Sequence, residues 1–89
     1  MDNTQPSQDI IVPDEIFKIA KMVVEDWKNI PKSAMAYLDP MHIVTTIKDP
    51  YYQDNGEYLV RYFLSNATTW RGPVARAVKA KLNQLLKAK

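Results

Sequence analysis

Apolar residues recur at three- and four-residue spacing in two stretches of the chain, and this spacing is that of one face of a helix. The first stretch runs from about Pro13 to Asn29. Its shared face consists of Ile16, Ile19, Ala20, Val23, Trp27 and Ile30. Pro13 suits a first helical position and Pro31 ends the pattern. We therefore predict a first long helix over residues 13–29.

The second stretch lies at the end of the chain and predicts a helix from about Pro73 to Ala88. Its buried stripe is predicted to be Val74, Val78, Leu82 and Leu85, with Ala75 and Leu86 beside it. The opposite face carries Arg76, Lys79, Asn83 and Lys87. The last helix is therefore expected to have one buried face and one basic face.

Between these helices the pattern is shorter and more ambiguous. Residues 33–38 suit a short helical turn with Ser33 as a candidate cap. Asp39-Pro40 could cap and start another short helix over 41–47. The same stretch from His42 to Ile47 is rich in β-branched residues and would also suit a strand.

Residues 51–64 allow two structures. Asn55-Gly56 between apolar runs is a hairpin signal, and residues 42–48 would then pair with 57–64. Alternatively Asp54 caps a helix and Glu57, three positions on, completes a capping box. We favour the helix. The expected fold class is all-α, a small bundle of three main helices plus a short one, and the alternative is α+β with a hairpin at 42–64.

Length and composition indicate one domain. The chain has 89 residues, of which 46% are hydrophobic and 25% are charged, as in ordinary soluble globular proteins. We expect a flexible N-terminal tail or arm over 1–12, in which residues 10–12 could pack across the domain, and a single helical domain over 13–89. The polar N-terminus, the lack of a long apolar run and the lack of cysteine favour a cytoplasmic protein.

Charge divides the chain into two parts. Residues 1–57 hold ten acidic and five basic side chains, a net of −5, whereas residues 58–89 hold seven basic side chains and no acid, a net of +7. A folded chain with this division presents a basic region that can attract an anionic partner. The acidic part could also neutralise that region, either within one chain or across a homodimer.

The candidate binding residues all lie in the basic part of the chain: Arg61, Trp70, Arg71, Arg76, Lys79, Asn83 and Lys87. Cations on one helix face can bind consecutive phosphates, and an asparagine there can read an adenine edge. The same pattern is more often a solvated face that keeps a small protein soluble.

Aromatic residues add two further candidates. Trp70-Arg71 in a turn resembles a binding hot spot, although a tryptophan that plugs the end of a bundle is the favoured interpretation. Tyr58 and Tyr62 beside Arg61 could stack on single-stranded bases, but at helical spacing such tyrosines are more often packing residues.

Catalysis has little support. His42 is the single histidine, cysteine is absent, and two glycines cannot form a glycine-rich phosphate loop. We expect no catalytic residues, no cofactor and no metal.

The segment 62–72, followed by Ala75, Arg76 and Lys79, resembles a pattern in small uncharacterised helical proteins of bacteria and phages. Residues 36–41 are similar to the middle segment of the same group. The resemblance covers about half of the chain and has no named family. It implies a small, mostly helical, intracellular protein of the kind that a phage or mobile element encodes.

These observations lead to one main hypothesis and two alternatives. The main hypothesis is a non-enzymatic interaction or regulatory protein that docks on a macromolecule, with protein favoured over nucleic acid as the partner. The first alternative is nucleic-acid binding through the basic last helix. The second is a structural oligomer in which the acidic part of one subunit faces the basic part of another.

Overall fold

The computed structural model describes residues 10–88, and over this range the chain forms four helices and one minimal hairpin. The elements are α1 (Ile16–Asp26), α2 (Lys32–Met41), β1 (Pro50–Tyr51), β2 (Asp54–Asn55), α3 (Gly56–Ser65) and α4 (Pro73–Lys87). The all-α prediction is confirmed. The alternative pairing of 42–48 with 57–64 is wrong, because residues 56–65 belong to a helix.

Helix α1 is shorter at both ends than predicted. It begins at Ile16 rather than Pro13, since Glu15 has an extended backbone. The N–H of Ile16 donates to the carbonyl of Thr45 at 2.9 Å. This bond holds the segment after α2 against the start of α1, so a tertiary contact marks the first helical residue.

One continuous helix, α2, replaces the two short helices predicted around Asp39-Pro40. Pro40 lies inside its last turn, and Ser33 lies inside its first turn rather than capping it. Leu38 and Met41 are completely buried, and their packing keeps this stretch helical across the proline. Residues 42–47 form turns instead of a helix or strand.

The start of α3 differs by one residue from the prediction. Asn55 is the N-cap, and its side-chain oxygen accepts a hydrogen bond from the N–H of Tyr58 at 3.0 Å. Asp54 instead pairs with Tyr51 in the hairpin, where strands β1 and β2 run antiparallel. Glu57 is therefore one position too early for a capping box.

The core receives side chains from all four helices. Its largest completely buried members include Ile16, Ile19, Val23, Leu38, Met41, Phe63, Val78 and Leu82. Trp27 is buried, as predicted. On α4 the predicted stripe is confirmed at Val78 and Leu82, while Leu85 is only partly buried.

The described part of the N-terminal arm runs beside α4. Val12 packs against the core, whereas Ile11 remains 87% exposed. Ile10 and Val12 line a shallow cavity with Ala77 and Ala80 of α4. Residues 1–9 of the predicted tail lie outside the described residues. Within residues 10–88, none of the helices has the length and apolar character that crossing a membrane requires.

Candidate docking face on α3 and α4

Trp70 lies in the core, which confirms the favoured interpretation of it as a plug at the end of the bundle, and its alternative place among the exposed binding residues is wrong. Its side chain is 2% exposed and stacks on Trp27, with ring centroids 5.6 Å apart. Its indole N–H donates to a carboxylate oxygen of Asp26 at 2.9 Å. An indole buries a large apolar area once its single donor has a partner, which explains why this turn residue points inward.

Lys79 is tied to the same tryptophan. Its ammonium donates to the carbonyl oxygen of Trp70 at 2.7 Å and lies 6.0 Å from the centre of the indole ring. Partial burial lowers the pKa of Lys79, and the nearby charge of Arg71 lowers it further. Lys79 therefore holds the turn before α4 in place, and it is a poorer candidate for partner binding than its exposed neighbours.

Three predicted cations remain fully available to solvent. Arg71, Arg76 and Lys87 are exposed and form no ion pair with any described residue. Lys81, on another side of α4, differs from these three cations because it forms an ion pair with Asp14. That pair joins the acidic and basic parts of the chain, as does the pair of Arg61 with Glu57.

A groove separates the exposed sides of α3 and α4 and has a volume of about 430 Å³. Its lining consists of Arg61, Tyr62, Leu64 and Ser65 from α3 and Asn83 and Leu86 from α4. The structure thus brings together Arg61 and Asn83, two predicted site residues from separate helices. Leu64, Ser65 and Leu86 were not among the predicted site residues. Helical spacing within one segment does not show which other helix lies beside that segment.

The polar side chains that line the groove form only exposed hydrogen bonds within their own helices. Arg61 Nε donates to Glu57 at 2.9 Å, one turn earlier on α3. An exposed pair of this kind contributes only about 0–1 kcal/mol, so a partner can draw Arg61 away at small cost. Asn83 donates its side-chain N–H to the carbonyl of Lys79 at 2.9 Å, and Ser65 donates its hydroxyl to the carbonyl of Arg61 at 3.1 Å.

The tyrosines next to this groove pack on one another. The ring of Tyr62 lies 5.5 Å from Tyr37 and 4.4 Å from Tyr58. Loss of hydration raises the pKa of Tyr58, with a smaller contribution from Tyr37. These contacts support the packing interpretation, while the side chain of Tyr62 stays 45% exposed.

The described residues offer little reactive chemistry. His42 donates from Nδ1 to the carbonyl of Leu38 at 3.0 Å and so closes the end of α2. Within residues 10–88 no three carboxylate or imidazole side chains come close enough together to hold a metal ion.

Arg76 and Lys87 share a side of α4 with the groove residue Asn83, and we call this side, the groove and Arg71 in the turn before α4 the α3–α4 face. It comprises Arg61, Arg71, Arg76, Asn83 and Lys87, together with the apolar groove residues Leu64 and Leu86. Its charge and shape suit non-covalent binding. Comparisons of the chain with protein-family models, with curated proteins and with solved structures found no match, so the case for its function rests on this face.

Proposed function

We propose that the chain is a non-enzymatic interaction protein that docks on an anionic macromolecular partner through the α3–α4 face. The observation that carries the proposal is the presence of three exposed cations, Arg71, Arg76 and Lys87, without an acidic partner among the described residues, beside a groove. In this proposal the protein acts by occupying a surface of its partner. It would serve as a regulator or inhibitor, such as a phage or mobile element encodes.

The distribution of charge supports this role. Helix α4 has no acidic residue, so its cations act in the same direction on an approaching molecule. Exposed charges act over about 8–10 Å at physiological salt, and complementary charge speeds association and selects partners. On α1, by contrast, Lys18 lies 3.8 Å from the carboxylate of Glu15.

The groove favours a protein over a nucleic acid as the partner. Leu64 and Leu86 give it apolar surface, which an apolar side chain can cover. Single strands usually stack on exposed aromatic faces, and Tyr37 and Tyr58 take part of the ring surface of Tyr62, whose side chain is 45% exposed. Nucleic acid remains the second candidate, because the cations of α4 could contact successive phosphates.

Two charge-reversal variants test the proposal. The first changes the face: Arg71→Glu, Arg76→Glu and Lys87→Glu. The matched control changes three exposed lysines elsewhere, Lys21→Glu, Lys32→Glu and Lys48→Glu, and alters the net charge equally. Binding of labelled polyglutamate, mixed-sequence DNA and mixed-sequence RNA is measured by fluorescence anisotropy at low and moderate salt.

We expect the face variant to bind polyglutamate about tenfold more weakly than the control variant, since several exposed ion pairs together contribute about 1–2 kcal/mol. Equal losses in the two variants would show that the α3–α4 face is not a distinct site. Binding of DNA or RNA that falls steeply with salt, without binding of polyglutamate, would establish the second candidate instead.

A further inference from the structure

The groove of the α3–α4 face has a mixed lining, in which the apolar side chains of Leu64 and Leu86 lie beside the polar side chains of Arg61, Ser65 and Asn83. Leu86 is 7% exposed and Leu64 is half-buried, so both present a side of their side chains to the groove. The volume of about 430 Å³ lies within the range of roughly 300–1,000 Å³ that is usual for binding pockets. A groove of this kind accepts one protruding apolar group of a partner.

Cations flank the groove on both helices. Arg61 lines it from α3. Lys87 follows Asn83 by four residues on α4, and residues at this spacing lie on the same side of a helix. Asn83 itself keeps an amide oxygen that can accept a hydrogen bond from a partner backbone. A group in the groove would therefore have Lys87 on one side and, once Arg61 leaves Glu57, a second positive charge on the other.

We infer that the occupant of this groove is an acidic, amphipathic segment of a partner protein, with one large apolar side chain in the groove and flanking carboxylates against Arg61 and Lys87. This inference rests on the proposed function and specifies the partner. Charge complementarity selects carboxylates on the flanks, and the two leucines select an apolar centre. A nucleic acid would satisfy the cations but would offer no aliphatic side chain to Leu64 and Leu86.

The test uses a labelled 16-residue helix-forming peptide with one central leucine and glutamates three and four residues to either side of it. Two matched peptides replace the leucine by serine or the glutamates by glutamine. Anisotropy titrations with the full chain at moderate salt give the affinities. We expect each replacement to weaken binding about tenfold, which corresponds to about 1.4 kcal/mol.

Protein variants locate the peptide. Ser65→Trp fills the groove with a large side chain. Its control is Ser33→Trp, at an exposed position of α2. Lys87→Glu removes rim charge, and its control is Lys21→Glu on α1. We expect Ser65→Trp and Lys87→Glu each to weaken peptide binding about tenfold and the controls to change it less than about twofold. If Ser65→Trp fails to fold, as far-ultraviolet circular dichroism would show, the leucine-to-serine peptide still tests the groove on the unchanged protein.

The outcomes separate this inference from the function on which it rests. Binding that needs the glutamates but not the leucine would overturn the inference and leave the proposed function intact. The same conclusion follows if polyglutamate binds and the peptide does not. Failure of both ligands would overturn both proposals.

Discussion

The indole ring of Trp70 lies almost parallel to that of Trp27, with the two planes 10° apart and the centroids 5.6 Å apart. Phe63 meets each of them edge-on at 6.4 Å. These three rings join the end of α1, the last turn of α3 and the turn before α4. The aromatic contact therefore fixes where α4 begins and positions the α3–α4 face.

Replacing Trp70 by alanine should remove a large part of the stability of the domain. Truncation of a buried tryptophan typically costs about 3–5 kcal/mol, and small domains have about 5–15 kcal/mol in total. Tyr52→Ala is the control, since Tyr52 is 89% exposed and should change the free energy of unfolding by less than about 0.5 kcal/mol. Urea denaturation measures both variants, and equal unfolding midpoints would contradict the central place of Trp70.

The hydrogen bond from Trp70 to Asp26 predicts a smaller effect. Asp26→Ala removes the acceptor of the indole N–H, which should lower the free energy of unfolding by about 1 kcal/mol. Glu25→Ala changes the neighbouring exposed carboxylate of the same helix and should have little effect. If Glu25→Ala is as destabilising as Asp26→Ala, general charge on α1 rather than this bond is responsible.

Lys79 should affect stability rather than binding. Lys79→Met keeps most of the apolar side chain but removes the bond to the Trp70 carbonyl, so we expect a loss of about 1 kcal/mol in the free energy of unfolding. Its affinity for polyglutamate should stay within about twofold of the unchanged protein. A loss of affinity as large as that of Lys87→Glu would instead make Lys79 a binding residue.

Asp49 should make stability depend on pH in the acidic range. Its carboxylate accepts hydrogen bonds from the N–H groups of Thr45 and Thr46 at 2.8 and 3.2 Å and from the hydroxyl of Thr46 at 3.0 Å. The backbone bond from Thr45, followed by the two bonds from Thr46, lowers the pKa of Asp49 below its usual 3.8.

Because the pKa is lowered in the folded state, the carboxylate contributes stability above its unfolded pKa and loses that contribution as pH falls through the folded pKa. Asp49→Asn should therefore lower Tm at pH 7, and the difference from the unchanged protein should shrink as pH falls below about 4. The control is Asp39→Asn, because the side chain of Asp39 forms no hydrogen bond with any described residue. A constant Tm difference from pH 7 to pH 2 would contradict the role of the charged form.

Gly56 should resist replacement even though it starts a helix. A Cβ atom there would collide with the carbonyl oxygen of Thr46 and lie 2.9 Å from the Cα of Ile47, and both are backbone atoms. Gly56→Ala should thus lower the free energy of unfolding by about 1–3 kcal/mol, although alanine favours helices. Lys32→Ala, at the exposed first position of α2, should be nearly neutral in the same urea titration. A stabilised Gly56→Ala variant would show that the loop before β1 does not press on α3.

Local sequence determined the helices with a long and regular apolar pattern. The spacing around Ile19 and Val23, and around Val78 and Leu82, identified α1 and α4 and their buried faces, because a repeat of three and four residues is a property of the helix itself. The exposed positions of Arg76, Asn83 and Lys87 follow from the same repeat. The division of charge is likewise contained in the sequence alone.

Contacts between distant segments decided the remainder. Burial of Leu38 and Met41 carries α2 through Pro40, and a bond to Thr45 sets the start of α1. The burial of Trp70 was the favoured prediction, but its partners, Trp27 for the ring and Asp26 for the N–H, became visible only in the fold. The groove joins α3 to α4, so no pattern within either helix could reveal it. Such features depend on which surfaces meet after folding, and helical spacing reports only which side of a helix avoids water.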